Sequence, residues 1–380
     1  MTLFSAAKNY LFSGNVPNTG RQPELDMGRG VAVLAMVLVH VFAFTGNDGA
    51  RNGAVGTFIF FFGGPPAAVV FMFLMGVGIV YSHRGSPEGL IKRGLKLIVA
   101  GYILSVVRYF LPILLGMKLG IFPENLFDQL PYFTLPHRNL LEILLEIDVL
   151  HFAGFAMMFI GLLKRSRHFL AYCLVLSFVV PVVSPLLWGV CTGLAPVDLL
   201  LDYLWGTKDY IRFVFFPWIT YPLVGILFAE LLKRAVDKKG LYRYMFALGL
   251  LGLILTAALF YLLKPEFLDF ASISSEEIEH YYYRHGLEGV VGISAFICLW
   301  IPLMYLLSSR LPEVITKRIA FWSRNVTGIY VTHYIILGWS LLIVGFNHFD
   351  IVAVIGFATA VMFSADRMSV VLERRHMNSI

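Results

Sequence analysis

Residues 27–46 read MGRGVAVLAMVLVHVFAFTG, a run in which Arg29 and His40 are the only titratable side chains. A helix needs about 20 apolar residues to cross the hydrocarbon core of a bilayer, so this run is long enough to span one. It begins after Arg21 and Asp26 and ends without a small-residue cleavage site. It therefore reads as a span retained in the protein rather than as a signal peptide.

Working outward, nine further runs of comparable length follow, giving spans at 27–46, 63–82, 92–115, 139–163, 169–189, 211–232, 242–263, 287–308, 320–346 and 349–370. Residues 54–62 form a short extra apolar segment before the second. Composition agrees, with 58% hydrophobic and 14% charged residues and a mean hydropathy of +0.76. Such a chain cannot fold around one soluble core. The expectation is an all-α polytopic membrane protein of about ten helices, a single transmembrane domain over 1–380.

The net charge of +6 raises nucleic acid as a partner. The basic residues instead sit in short loops between apolar runs, which excludes it. Of 30 Lys and Arg, 22 fall on one side of the alternating spans and 7 on the other, with Arg108 inside the third. Basic loops stay cytoplasmic during insertion, so both termini are expected in the cytoplasm. Residues 116–138, 190–210 and 264–286 then form longer outer loops, the last with an acidic face of Glu266, Asp269, Glu276, Glu277 and Glu279. Cys173, Cys191 and Cys298 lie far apart with no metal-ligand spacing, and no metal or disulfide role is assigned to them.

Polar groups at mid-membrane are expensive and mark function or a satisfied partner. His40, His151 and His333 fall well inside the first, fourth and ninth spans, with Asp148 one turn before His151. Three histidines at similar depth on separate helices suit a common cavity; the plain alternative for each is a helix-to-helix hydrogen bond. Arg29 precedes His40 by eleven residues, close to three full turns and so the same helix face, about 16 Å along the axis. That spacing suits a long ligand with an anionic head at the cytoplasmic mouth and its reactive end within the membrane, and an acyl-CoA has that shape. Arg108, in the outer half of its span, is expected to snorkel outward. The Gly63-Gly64-Pro65-Pro66 stretch reads as a helix break lining a cavity, against a plain helix start as its alternative.

The stretch Leu25-Asp26-Met27-Gly28-Arg29-Gly30-Val31-Ala32, with ten residues between Arg29 and His40, resembles the Arg-x10-His signature of the acyltransferase-3 family. Gly63 to Gly76 resembles that family's Gly-Gly run and aromatic-rich helix, and Lys92-Arg93-Gly94-Leu95-Lys96 its basic Arg-x-x-Arg pair, with Lys96 as second member. Phe216 to Gly225 and Asp148 to Gly154 look more like the related heparan-α-glucosaminide N-acetyltransferase branch, while Gly328 to His333 is similar to a late Ile-Tyr-x-x-His segment of the superfamily. That branch has asparagine where His40 stands and its histidine in an outer loop, and no histidine lies between His40 and His83 here. The role of His40 therefore follows the acyltransferase-3 pattern.

The resemblance implies acyl transfer from cytoplasmic acyl-CoA, usually acetyl-CoA, to an extracytoplasmic carbohydrate or glycan. His40 would be general base, a task suited to imidazole, with an acetyl-histidine intermediate as a variant. Asp148 would orient His151, and the pair, with His333, would serve the acceptor or the tetrahedral intermediate. Arg29, Lys92, Arg93 and Lys96 would meet the CoA phosphates. A proton-coupled transporter or flippase is the alternative class, and a non-catalytic scaffold a third. Against the transporter stands the single Gly-Pro stretch, which has no counterpart in the second half. A bacterial cytoplasmic membrane is the expected location; acceptor, acyl length and oligomeric state are open at this stage.

Overall fold

The computed structural model describes residues 16–82, 85–130, 139–208, 211–263 and 280–378. The acids at 266, 269, 276, 277 and 279 lie outside them. Among the described residues, nine helices are long and apolar enough to cross a membrane. These are α1 (Pro23–Thr45), α2 (Ala54–Tyr81), α3 (Pro87–Lys118), α5 (Phe169–Leu187), α6 (Phe215–Arg234), α7 (Lys238–Leu263), α8 (Leu287–Arg310), α9 (Val326–Val344) and α10 (Ile351–Asn378). The tenth apolar helix, α4 (Val149–Leu163), has 15 residues. The protein is an all-α polytopic membrane protein.

Three differences from the sequence expectation have local causes. The 139–163 run is divided: Asn139 caps a short helix, Leu140–Leu144, and Asp148 caps α4. Residues 54–62 are not a separate segment, because α2 runs on through Gly63-Gly64-Pro65-Pro66 as a π-helical stretch, Gly64–Val69. Pro65 and Pro66 lack N–H groups and crowd the carbonyls four residues back, and a wider turn accommodates both. The helix is therefore not broken there. Asn325 divides the 320–346 run, leaving an amphipathic helix, Glu313–Arg324, before α9.

The chain divides into two compact units interleaved in sequence. One holds residues 1–28, 69–98 and 147–311. Within it, Gly94 of α3 and Gly154 of α4 meet so closely that a Cβ on either would collide with the other's carbonyl. Small residues at such crossings let membrane helices pack by direct backbone contact. The other unit holds residues 29–68, 99–146 and 312–380. There α9 packs on α10 and on the second half of α3. The end of α1 is tied to the α9–α10 loop: the Asn47 N–H donates to the Phe349 carbonyl at 2.8 Å and the Asn347 N–H to the Phe44 carbonyl at 3.0 Å. Arg51 donates to the Gly46 carbonyl at 2.6 Å and to the Asn347 side chain at 2.5 Å. Pinned there, α1 and α9 hold their polar residues side by side.

Candidate functional site

In the second unit His40 of α1 meets His333 of α9, with His40 Nδ1 2.9 Å from His333 Nε2. His333 is fully buried and His40 half-buried. Their rings are nearly parallel, 8° apart. Hydrogen-bond chemistry fixes the polarity of the pair. His333 Nδ1 lies 3.0 Å from the Ile329 carbonyl, which can only accept, so Nδ1 carries the hydrogen. In a neutral imidazole Nε2 is then an acceptor, and His40 Nδ1 must donate to it. His40 Nε2 is left as its ring's acceptor. The Tyr334 hydroxyl, 2.9 Å away, donates to it. The neutral chain thus runs one way: Tyr334 to His40, His40 to His333, and His333 to its own helix backbone.

Beneath Tyr334 lies Arg108. Its guanidinium sits 4.2 Å from the Tyr334 ring centre and 4.4 Å from that of Tyr109, and it donates to Glu146 at 3.1 Å. Arg108 is 1% exposed, so it does not snorkel. A carboxylate and two aromatic faces compensate its charge within the protein, which removes the reason to reach outward. The placement follows from two residues. Pro112 has no N–H to return to the Arg108 carbonyl, and α3 widens there into a π-helical turn, Val106–Phe110. Gly338 of α9 meets that carbonyl so closely that any Cβ would collide with it. Trp339 holds the same turn, its indole N–H donating to the Val107 carbonyl at 3.1 Å. Gly338 is four residues after Tyr334 and shares its face, so the close approach also sets the tyrosine over the guanidinium.

Arg29 is half-buried on α1. Val33 and Met36, which lie between it and His40 on that face, are buried. Asp26, three residues earlier, pairs with Arg21 at 2.7 Å.

Asp148 and His151 belong to the other unit and form a helix cap. Asp148 accepts from the Val149 N–H at 2.6 Å, and His151 Nδ1 accepts from the Asp148 N–H at 3.2 Å, completing a capping box. The two are thus bonded reciprocally, each side chain accepting from the other's backbone N–H. Lys92, Arg93 and Lys96 are all exposed. On α3, Lys92 and Lys96 lie opposite Gly94, beside the exposed Leu95 and Val99, where long cations reach toward headgroups. Three histidines were expected to converge; the structure brings His40 and His333 together.

Sequence reasoning passed over Tyr334, Glu146 and the buried His285. Tyrosine in an apolar helix reads as core, and only its position next to His333 and four before a glycine hinted otherwise. His285, in the first unit, accepts from the Tyr221 hydroxyl at 2.5 Å and donates from Nδ1 to the Tyr282 carbonyl at 2.8 Å. Burial pushes its pKa down from 6.5 to about 4. It is neutral at physiological pH.

Among the described residues no group of three or more His, Cys, Asp or Glu is placed to hold a metal ion. No curated protein matches this chain closely enough to count as a relative. The acyltransferase-3 family model, described as an acyltransferase domain, matches residues 22–366. That match covers α1 through most of α10, and the protein is a membrane acyltransferase belonging to the acyltransferase-3 family.

Proposed function

We propose that this acyltransferase moves an acyl group, acetyl in the first instance, from cytoplasmic acyl-CoA to a hydroxyl or amino group of a carbohydrate or glycan on the outer side of the membrane. The observation that carries the reading is the His40–His333 pair between α1 and α9, with Arg29 eleven residues before His40 on α1. A general base must be an acceptor near the reacting hydroxyl, and the hydrogen-bond polarity leaves His40 Nε2 as that acceptor. His333 fixes the tautomer and ring plane of His40, as an orienting partner does for a catalytic imidazole. Proton removal lets the acceptor attack the thioester carbonyl, and collapse of the tetrahedral intermediate expels the CoA thiolate.

Arg29 is the proposed donor to a CoA phosphate. The exposed Lys92, Arg93 and Lys96 add cytoplasmic positive charge that attracts CoA. The Asp148/His151 cap supports the acceptor side by fixing the start of α4. The uneven distribution of Lys and Arg supports cytoplasmic termini, and a bacterial cytoplasmic membrane is the proposed location.

The test is binding and hydrolysis of radiolabelled acetyl-CoA by detergent-purified protein. Wild type should bind saturably, Arg29→Ala should bind more weakly, and His40→Ala should bind normally without turnover. Folded wild type that binds no acetyl-CoA at millimolar concentration would remove the donor assignment.

A further inference from the structure

The acyl-transfer reading leaves one chemical difficulty at His40: both ring nitrogens are already engaged. Nδ1 donates to His333, and Nε2, the basic atom, accepts from the Tyr334 hydroxyl. The Nε2 lone pair is thus taken by Tyr334 Oη, so an acceptor hydroxyl must either displace that bond or pass its proton through it. Besides its own O–H, a tyrosine hydroxyl has lone pairs that accept. The Tyr334 ring also lies over the Arg108 guanidinium, 4.2 Å from its centre. A cation held against a phenol ring stabilises negative charge developing on that phenol. Glu146 and Tyr109 hold the cation in place, and stacking on His40, with centroids 4.4 Å apart, holds the ring.

We propose that Tyr334 is a catalytic residue, the proton shuttle between the acceptor and His40. The inference rests on the acyl-transfer reading above. The acceptor O–H bond breaks and its proton goes to Tyr334 Oη, while the Tyr334 proton passes to His40 Nε2. The acceptor oxygen bonds to the thioester carbonyl carbon, and the C=O electron pair moves onto its oxygen. When C=O re-forms, the C–S pair leaves with the CoA sulfur. The proton returns by the same path, from His40 Nε2 to Tyr334 Oη and from Tyr334 Oη to the thiolate. His40 and Tyr334 end neutral, and the net movement is one proton from acceptor to CoA thiol.

Tyr334→Phe removes the hydroxyl and leaves the ring over Arg108. The experiment measures acetyl-CoA hydrolysis, water serving as acceptor, with full-length wild type, Tyr334→Phe and His40→Ala, alongside acetyl-CoA binding and thermal melting. Tyr334→Phe should lose about 100-fold or more in turnover, with acetyl-CoA Kd and melting temperature unchanged. In mixtures of light and heavy water, wild-type turnover should follow a curve, because two protons move together. Turnover of Tyr334→Phe within threefold of wild type, beside an inactive His40→Ala, would overturn the shuttle and leave His40 as direct base. His40→Ala with wild-type turnover, or folded wild type with none, would overturn the underlying reading and the shuttle with it.

Discussion

Replacing Gly338 by alanine adds one methyl group at the point where α9 touches the π-helical turn of α3. The new Cβ would collide with the Arg108 carbonyl. Backbone cannot rotate away as a side-chain tip can, so α9 must withdraw by about 1 Å or more, and Tyr334, one turn earlier, moves with it. Overpacking of this kind costs about 1–3 kcal/mol. In a chain of this size that lowers the melting temperature by about 2–6 °C. Displacing a catalytic group by about 1 Å costs on the order of 100-fold in rate, so activity should fall further than stability does. Gly356→Ala is the matched control, because Gly356 sits within α10 with nothing within 4 Å of a Cβ there. An alanine in that open helical position should stabilise by about 0.5–1 kcal/mol. Thermal melting in detergent and acetyl-CoA hydrolysis report both quantities. Gly338→Ala with wild-type melting and turnover would refute the close packing that positions Tyr334 and Arg108.

Three other perturbations test separate parts of the molecule. His333→Ala removes the acceptor for His40 Nδ1, and turnover should fall about 100-fold with acetyl-CoA Kd unchanged. Equal turnover would remove the orienting role. His285 is neutral in the fold, with its pKa lowered to about 4 from 6.5, so the unfolded chain takes up its proton first as pH falls. Its stabilising contribution is whole above pH 6.5, is lost as pH drops toward 4, and falls by about 2 kcal/mol between pH 7.5 and pH 5. Melting curves across that range should flatten in His285→Gln, and parallel curves would contradict this. Asp148→Ala removes the N-cap of α4 and should cost about 0.5–2 kcal/mol by thermal melting, while Asp148→Asn keeps most of it. Equal loss in the two variants would show that capping is not what the side chain contributes.

The fold was legible because lipid demands long apolar runs, and each run leaves a plain mark in sequence. What the sequence hid were backbone events inside those runs. Pro65 and Pro66 read as a break because proline removes a helical bond, yet a π-helical stretch carries α2 past them. Pro112 gave no signal of its own, although it lies beside the turn that presents Arg108. The two histidines of the candidate site were visible because titratable groups are rare at that depth. Tyr334 was not, since tyrosine is common in apolar helices and its position over Arg108 depends on Gly338, a contact 230 residues apart in sequence. Arg108 was misread as snorkelling for the same reason: Glu146 and the aromatic faces around it come from other segments. Asp148 and His151 were legible as a pair, but spacing alone does not separate a cap from a catalytic dyad.

The most direct test of acyl transfer through His40 uses inside-out membrane vesicles given radiolabelled acetyl-CoA on their outer, originally cytoplasmic, face. Vesicles carrying wild type should accumulate label in their enclosed glycan fraction, and vesicles carrying His40→Ala at equal protein level should not. Equal labelling by the two, or none by wild type that binds acetyl-CoA and is folded, would contradict transfer across the membrane through His40.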